Sequence, residues 1–427
     1  MSFDPRAEKV AAAVDTERLG RRIAGLAAFG ARADGGVDRQ ALTTEELAAR
    51  RWLLADVVQR PGYRVGIDDA ANVFVQRAGS QPGAAPVLTG SHADTQPAGG
   101  RLDGAFGVVA GFELFDALDQ AGIQTRRPVE VVIWTNEEGC RFSPGLMGSN
   151  GFVDPASLAV ARKVRDASGV YFGAACDAAR DDFLSAAAAH GWPLLPCPPA
   201  RPVHAYIEAH IEQGPELEAA QHQVGCVHTI QGVRWLELVF AGRSAHAGTT
   251  PAHMRDDAMP KAVRAAQAVL ALADVETARD PRLRLTIGRF DVQPGSINTI
   301  AREARFTVDL RHPDELVLQA LQARIAALCG EAAQINTLLC KPPVAFDTRL
   351  HALTLSACAQ LGLRHQPMLS GAFHDAMPLA SHAPTTMLFA PSREGISHHP
   401  AEHTELADLA ACTRALALCM TQLALEA

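Results

Sequence analysis

Four stretches of this chain gather the residue types that hold metal ions and move protons. Residues 86–104 read P-V-L-T-G-S-H-A-D-T-Q-P-A-G-G-R-L-D-G, placing His92, Asp94 and Asp103 in a glycine-marked loop after a buried strand. An imidazole and carboxylates on flexible backbone at a strand's C-terminal end suit a metal site in an α/β sheet. A second acidic cluster, Asn136-Glu137-Glu138-Gly139, follows the next apolar run. Adjacent glutamates on an extended segment point different ways, so one can bind metal while the other acts as a base. His210 and His398 also sit after an expected strand or in a Gly/Pro-marked loop. With His92, Asp103 and Glu138 they make two histidine–carboxylate sets sharing one carboxylate. That is the outline of a two-metal site with ions roughly 3.5–4 Å apart. Mixed N/O ligation suits Zn²⁺, Mn²⁺, Co²⁺ or Ni²⁺ and does not choose among them. Two such ions acidify water between them, and a nearby carboxylate can take its proton and carry it to a leaving nitrogen.

The elements that must position these residues alternate between strand and helix. A capping box at Thr43 and Glu46 predicts a helix with Leu47, Leu54, Val57 and Val58 on one face, ended by Pro61-Gly62. Strands follow at 63–67 and 72–76, then one from Val87 that Gly90 breaks. A helix is expected over 104–121, closed by Gly122, and then a strand over 129–135. That strand is apolar on both faces, which places it centrally in the sheet. The chain returns to the site at 205–214. From about residue 227 the pattern becomes β-α-β-β-α-β: strand 233–241, helix 256–273, strands 283–292 and 304–311, helix 314–329, strand 334–340. This is the order of a ferredoxin-like unit, complete in itself and therefore an insertion. Helix 351–361, strand 385–389 and a last amphipathic helix carrying Leu406, Leu409, Leu416, Met420 and Leu423 resume the first pattern. The expected fold class is α/β, with a two-metal α/β catalytic domain (1–226 and 343–427) interrupted by a ferredoxin-like (βαββαβ) domain at 227–342.

Composition narrows the function classes. At 427 residues the chain exceeds what one hydrophobic core usually serves. Its net charge of −8 offers no electrostatic reason to bind nucleic acid or an anionic membrane. No run reads as long and apolar enough to span a bilayer, and the first residues lack an apolar signal core. Nine cysteines, an odd number without a Cys-x-x-Cys pair, read as reduced thiols in a cytoplasmic protein. Cys412 and Cys419 lie on an apolar helical face and belong to a core.

The motifs S-H-A-D-T-Q-P-A-G-G-R-L-D-G, T-N-E-E-G-C-R-F, H-I-E-Q-G-P, S-A-H-A-G-T-T-P, D-L-R-H-P and G-I-S-H-H-P, taken together, resemble the hydantoinase/carbamoylase family of metal-dependent amidohydrolases. That family lies within the aminoacylase/carboxypeptidase-like superfamily of two-metal hydrolases. It includes N-carbamoyl-L-amino acid hydrolase, β-ureidopropionase and allantoate amidohydrolase. The resemblance implies two divalent ions per subunit, with His92 and His210 on one, Glu138 and His398 on the other, and Asp103 bridging. It implies Asp94 as a support holding the His92 imidazole in one tautomer, and Glu137 as general base and proton shuttle. It also implies that Gln213, His246, Asn298 and Arg311 hold a small carboxylate substrate, with His246 reaching into a partner's site. Residue chemistry agrees for two of these. A planar guanidinium at Arg311 suits a carboxylate, and His246 between glycines suits a developing oxyanion. Residue chemistry does not separate His398 from His399. Phe373, in S-G-A-F-H-D-A, replaces a usual family glycine, and His374 has no assigned role.

The activity implied is cleavage of the C–N amide bond of an N-carbamoyl (ureido) small acid, such as an N-carbamoyl-L-amino acid or β-ureidopropionate, with release of ammonia and carbon dioxide. Alternatives are an allantoate/ureidoglycolate-type amidohydrolase, an N-acyl-amino acid or dipeptide hydrolase, and a non-catalytic metal-binding scaffold. A scaffold has no use for a base beside Glu138, and no His-Glu-x-x-His occurs, which excludes zincin proteolysis. The four-stranded insertion carries edge strands that need cover, so pairing two copies would make a two-fold dimer. The resemblance implies the same domain as dimerisation element and lid.

Overall fold

The computed structural model describes residues 2–81 and 83–426. It divides into two compact units. One comprises the chain up to His228, Phe346–Met368 and the segment from Ala372 onward; the other comprises Thr229–Ala345 and Leu369–Gly371.

The first unit is built on a large mixed sheet. Its strands run in the order Tyr63–Ile67, Val73–Arg77, Val129–Trp134, Val87–His92, Ala205–Ile211, Thr385–Ala390, Val224–Ile230. The four from Val129–Trp134 to Thr385–Ala390 are mutually parallel and buried along their whole length, as near-continuous apolar runs covered on both faces should be. Parallel strands end together, so His92, the residues after Trp134, and His210 emerge at one edge. Gly90 does not break its strand. The strand continues to His92, because a side chain at 90 would meet the Val132 carbonyl at 2.0 Å and glycine lets the two backbones close up.

Helix Ala105–Ala121 is buried almost all round and stops at Gly122 in the left-handed region. Helix Thr44–Val57 is capped by Thr43, but Glu46 turns inward. It pairs with buried Arg50 and reaches the Leu42 amide rather than that of Thr43. Two N-terminal helices, Pro5–Ala12 and Thr16–Ala27, pack on Ala105–Ala121. Arg18 and Arg22 of the second meet the buried Glu113 and Asp116 at 2.6 and 2.7 Å. Helix Leu406–Leu425 corrects another expectation. At 20 residues it is long and apolar enough to cross a bilayer by length and composition alone, yet most of it is buried within the fold. Cys412 and Cys419 lie in that core, and all nine cysteines are free.

The second unit has the antiparallel order Ala333–Lys341, Gly232–Ala241, Glu303–His312, Arg284–Gln293, with helices Ala258–Arg279 and Glu315–Cys329. Along Glu303–His312 burial alternates strictly, one face packed and the other open. Helix Ala258–Arg279 runs six residues beyond the sequence estimate and leaves Met259, Val263, Leu270 and Val275 exposed.

Candidate active site

The strand ends assemble a buried cluster of histidines and carboxylates. His92 is the last residue of its strand, and its Nδ1 lies 2.8 Å from the Asp94 carbonyl oxygen. His210 places Nδ1 2.8 Å from the Ile211 carbonyl oxygen. A ring nitrogen facing a carbonyl must carry the proton, so in both rings Nε2 keeps a lone pair for the site. The Gly104 amide donates to that atom of His210 at 3.0 Å, consistent with the tautomer.

Asp103 stands between the histidines. Its Oδ1 is 3.3 Å from His210 Nε2 and 3.8 Å from His92 Nε2; its Oδ2 is 3.1 Å from His398 Nε2. Glu138 Oε2 is 3.6 Å from His398 Nε2, and Glu137 Oε2 is 3.6 Å from His92 Nε2. The two glutamates thus face different histidines. Asn136, at φ 57°, turns the chain just before them. His92, Asp103 and His210 form one group whose ligand atoms lie within 4.8 Å of one another, and Asp103, Glu138 and His398 form a second. Asp103 belongs to both. His398, at a positive φ of 55°, joins the second group, while His399 belongs to neither and accepts from the Ala401 amide.

Electrostatics mark the cluster as acid-rich. Burial, and then the charges of Asp375, Glu138, Asp103 and Asp94, push the Glu137 carboxyl well above its usual range. Burial and Asp103 raise Glu138 to about 8. Burial also pushes Asp103 upward, but the His210 and His398 imidazoles against its two oxygens outweigh it and hold the group well below the usual range. Burial takes His92 down to about 4, whereas the hydrogen bond to Asp103 raises His398 to about 9. Glu138 Oε1 is buried without a hydrogen-bond partner. A divalent cation answers both features: it supplies a partner for that oxygen and offsets the concentrated negative charge. The oxygen and imidazole donors fit such an ion.

Asp94 has two contacts here. Its carbonyl, not its carboxylate, holds His92; the carboxylate accepts from the Glu137 and Glu138 amides at 3.4 and 3.3 Å. The turn at Asn136 brings those amides back towards the Asp94 side chain, an arrangement that residue spacing does not reveal. Gln213 places its amide on Asp103 Oδ2 at 2.9 Å. His246, Asn298 and Arg311 belong to the second unit. There, His246 Nδ1 accepts from the Gly248 and Thr249 amides at 3.1 and 3.3 Å, which leaves the proton of its neutral form on Nε2. Asn298 follows close by, its carbonyl accepting from the Ala247 amide. Arg311 forks onto Asp309 through Nε and Nη2 and donates from Nη1 to the Gly371 carbonyl.

Several residues of this site went unread in the sequence. Glu208 is the lone acid of an apolar strand, and its place two before His210 puts both on one face. It accepts from Ser91 Oγ, Tyr206 OH and the Ala376 amide, and shares a 4.8 Å group with His210 and His374. The His374 ring packs 4.4 Å from that of His210, centroid to centroid, and burial and His210 keep it well below its usual pKa. Gln96 donates to Glu138 Oε2 at 2.6 Å while accepting from Cys140 Sγ.

Comparisons with known proteins place this arrangement. Peptidase family M20/M25/M40 matches residues 88–422. An N-carbamoyl-L-amino-acid amidohydrolase of Rhizobium meliloti is 37% identical over 91% of this chain and 92% of its own. An allantoate amidohydrolase of Escherichia coli (strain K12) is 34% identical over 93% and 96%. The crystal structure of a hydantoinase/carbamoylase family amidase from Burkholderia multivorans superimposes with a TM-score of 0.86 at 38% identity, covering 97% of this chain and 98% of that one. Six motifs, the parallel strand ends and the shared aspartate therefore lead to one conclusion: the chain belongs to peptidase family M20/M25/M40, in its hydantoinase/carbamoylase branch.

Proposed function

We propose that the protein hydrolyses the C–N bond of an N-carbamoyl-L-amino acid or a closely related ureido acid, yielding ammonia, carbon dioxide and the free amine. The observation that carries this is Asp103 shared between two ligand groups with Glu137 beside them. His92 and His210 would hold one divalent ion, Glu138 and His398 the other, and Asp103 both. When bound, such ions polarise the carbamoyl carbonyl and acidify water. Glu137 Oε2 takes the proton of the attacking water and delivers it to the departing nitrogen. Gln213, Asn298 and Arg311 supply the several hydrogen-bonding groups that a ureido acid requires. The His246 Nε2–H is a donor for the developing oxyanion. Ammonia release from the metal-loaded protein across N-carbamoyl-L-amino acids, β-ureidopropionate and allantoate tests the reading. Turnover of allantoate alone would move the assignment to that branch, and silence on all three would reject it.

Arg311 is the carboxylate anchor in this scheme, already oriented by Asp309. Arg311→Lys replaces a planar fork with a point charge, so KM for the substrate should rise roughly tenfold or more while kcat changes less. Steady-state kinetics that leave KM unchanged would place the carboxylate elsewhere.

The second unit is proposed as lid and dimerisation element. Its edge strand Arg284–Gln293 and the exposed apolar residues of Ala258–Arg279 are surfaces that a second copy would cover. If His246 serves the partner's site, mixing inactive Glu137→Gln and inactive His246→Ala proteins restores part of the activity through heterodimers with one complete site. Verified subunit exchange without recovery would confine His246 to its own chain.

A further inference from the structure

Glu402 has no part in the scheme above, yet it joins the loop that carries Asp103 to the loop that carries His398. Its Oε1 accepts from the Leu102 and Asp103 amides at 2.8 and 3.1 Å, and its Oε2 accepts from Ser397 Oγ at 2.9 Å. Ser397 precedes His398 and also lies 3.4 Å from Asp103 Oδ2. The Glu402 side chain is 4% exposed and sits where the backbone at 100 leaves room, since a side chain there would meet Oε1 at 2.0 Å. One carboxylate therefore holds two consecutive amides of the first loop and the serine beside the histidine of the second.

We infer that Glu402 is a positioning residue: it clamps the Asp103 loop to the His398 loop and sets the distance at which their side chains share a metal ion. Asp103 and His398 come from segments almost three hundred residues apart in sequence, and neither belongs to a strand of the sheet. His398 is exposed and at positive φ. Without the clamp the two loops would be tied only through the Gln213 amide, which reaches Asp103 Oδ2 and Ser397 Oγ at 2.9 and 3.1 Å, and through the metal, whose binding would have to offset much of their ordering. Ser397 is the far half of the same clamp.

The inference rests on the proposed metal site but not on the substrate, so its test reads metal rather than turnover. Apo protein, with folding checked by circular dichroism and thermal melting, is titrated with Co²⁺ while affinity and visible absorption are followed. The absorption reports the ligand geometry, which a general loss of stability would not alter. Glu402→Ala should weaken Co²⁺ binding about 10–100-fold at the site His398 serves, the usual weight of a residue supporting ligands, and change the spectrum of that site. Ser397→Ala should do the same to a smaller extent. Glu402→Gln keeps an oxygen for the two amides and should bind more tightly than Glu402→Ala. It and Ser397→Ala also carry the test if the alanine variant does not fold. Wild-type affinity and spectrum in Glu402→Ala or in Ser397→Ala would overturn the clamp, as would a folded Glu402→Gln no better than Glu402→Ala. Failure of the ureido assay with metal binding as described would reject the substrate assignment and leave the clamp standing.

Discussion

Glu137→Gln is expected to fold, to bind metal as the parent protein does, and to lose about 10²–10⁴-fold in kcat, or about 2.7–5.5 kcal/mol of transition-state stabilisation. The amide has the shape of the carboxylate, so the contact to His92 at 3.6 Å and the backbone bond to Asp94 can both persist. What it lacks is an oxygen that can receive a proton from water and give it up again. Ligand geometry predicts no loss of metal, because Glu137 belongs to neither ligand group. Metal analysis beside steady-state kinetics separates the two effects. Turnover near that of the parent would remove Glu137 from the chemistry and reopen the scaffold reading. A lost metal would instead make Glu137 a ligand.

The parts of this molecule legible in its sequence are those governed by local pattern. Residues 129–134 read as a central strand because burial on both faces leaves no polar alternation, and Gly122 reads as a helix end because it sits in the left-handed region. His92 and His210 stand at the ends of parallel strands and Glu138 just beyond one, whereas Asp103 and His398 lie in loops marked only by glycine and proline. Long-range pairings were not legible. Glu402 meets the Leu102 amide from 300 residues away, and only the folded loops bring that acid to those donors. Asp94 presents the same difficulty at short range: its carboxylate turns to the glutamate amides because Asn136 adopts a positive φ. Helix Thr16–Ala27 buries Leu19, Ile23 and Leu26 at helical spacing, while its Arg18 and Arg22 answer to Glu113 and Asp116 on another helix, a pairing that spacing does not reveal. The last helix shows the converse. Enclosure in the fold produces the same apolar composition as enclosure in a bilayer, so its hydropathy alone does not tell the two apart.

Removing Asp103 should have the largest effect on metal content. Its two oxygens face opposite ways: Oδ1 towards His92 and His210, Oδ2 towards His398 and Gln213. Asp103→Ala takes a ligand from both groups at once and leaves each with two side chains of its own, His92 with His210, and Glu138 with His398. His398→Ala, by contrast, removes one half-exposed side chain from a single group and leaves the buried trio intact. Elemental analysis after dialysis should therefore find both ions lost or weakly held in Asp103→Ala and about one retained in His398→Ala, with ammonia release abolished in the first. The contrast between the variants carries the argument, because a general loss of stability would strip metal from each alike. Two ions kept in folded Asp103→Ala would show that the groups bind independently. Asp103 would then be a neighbour of two sites rather than the residue that joins them.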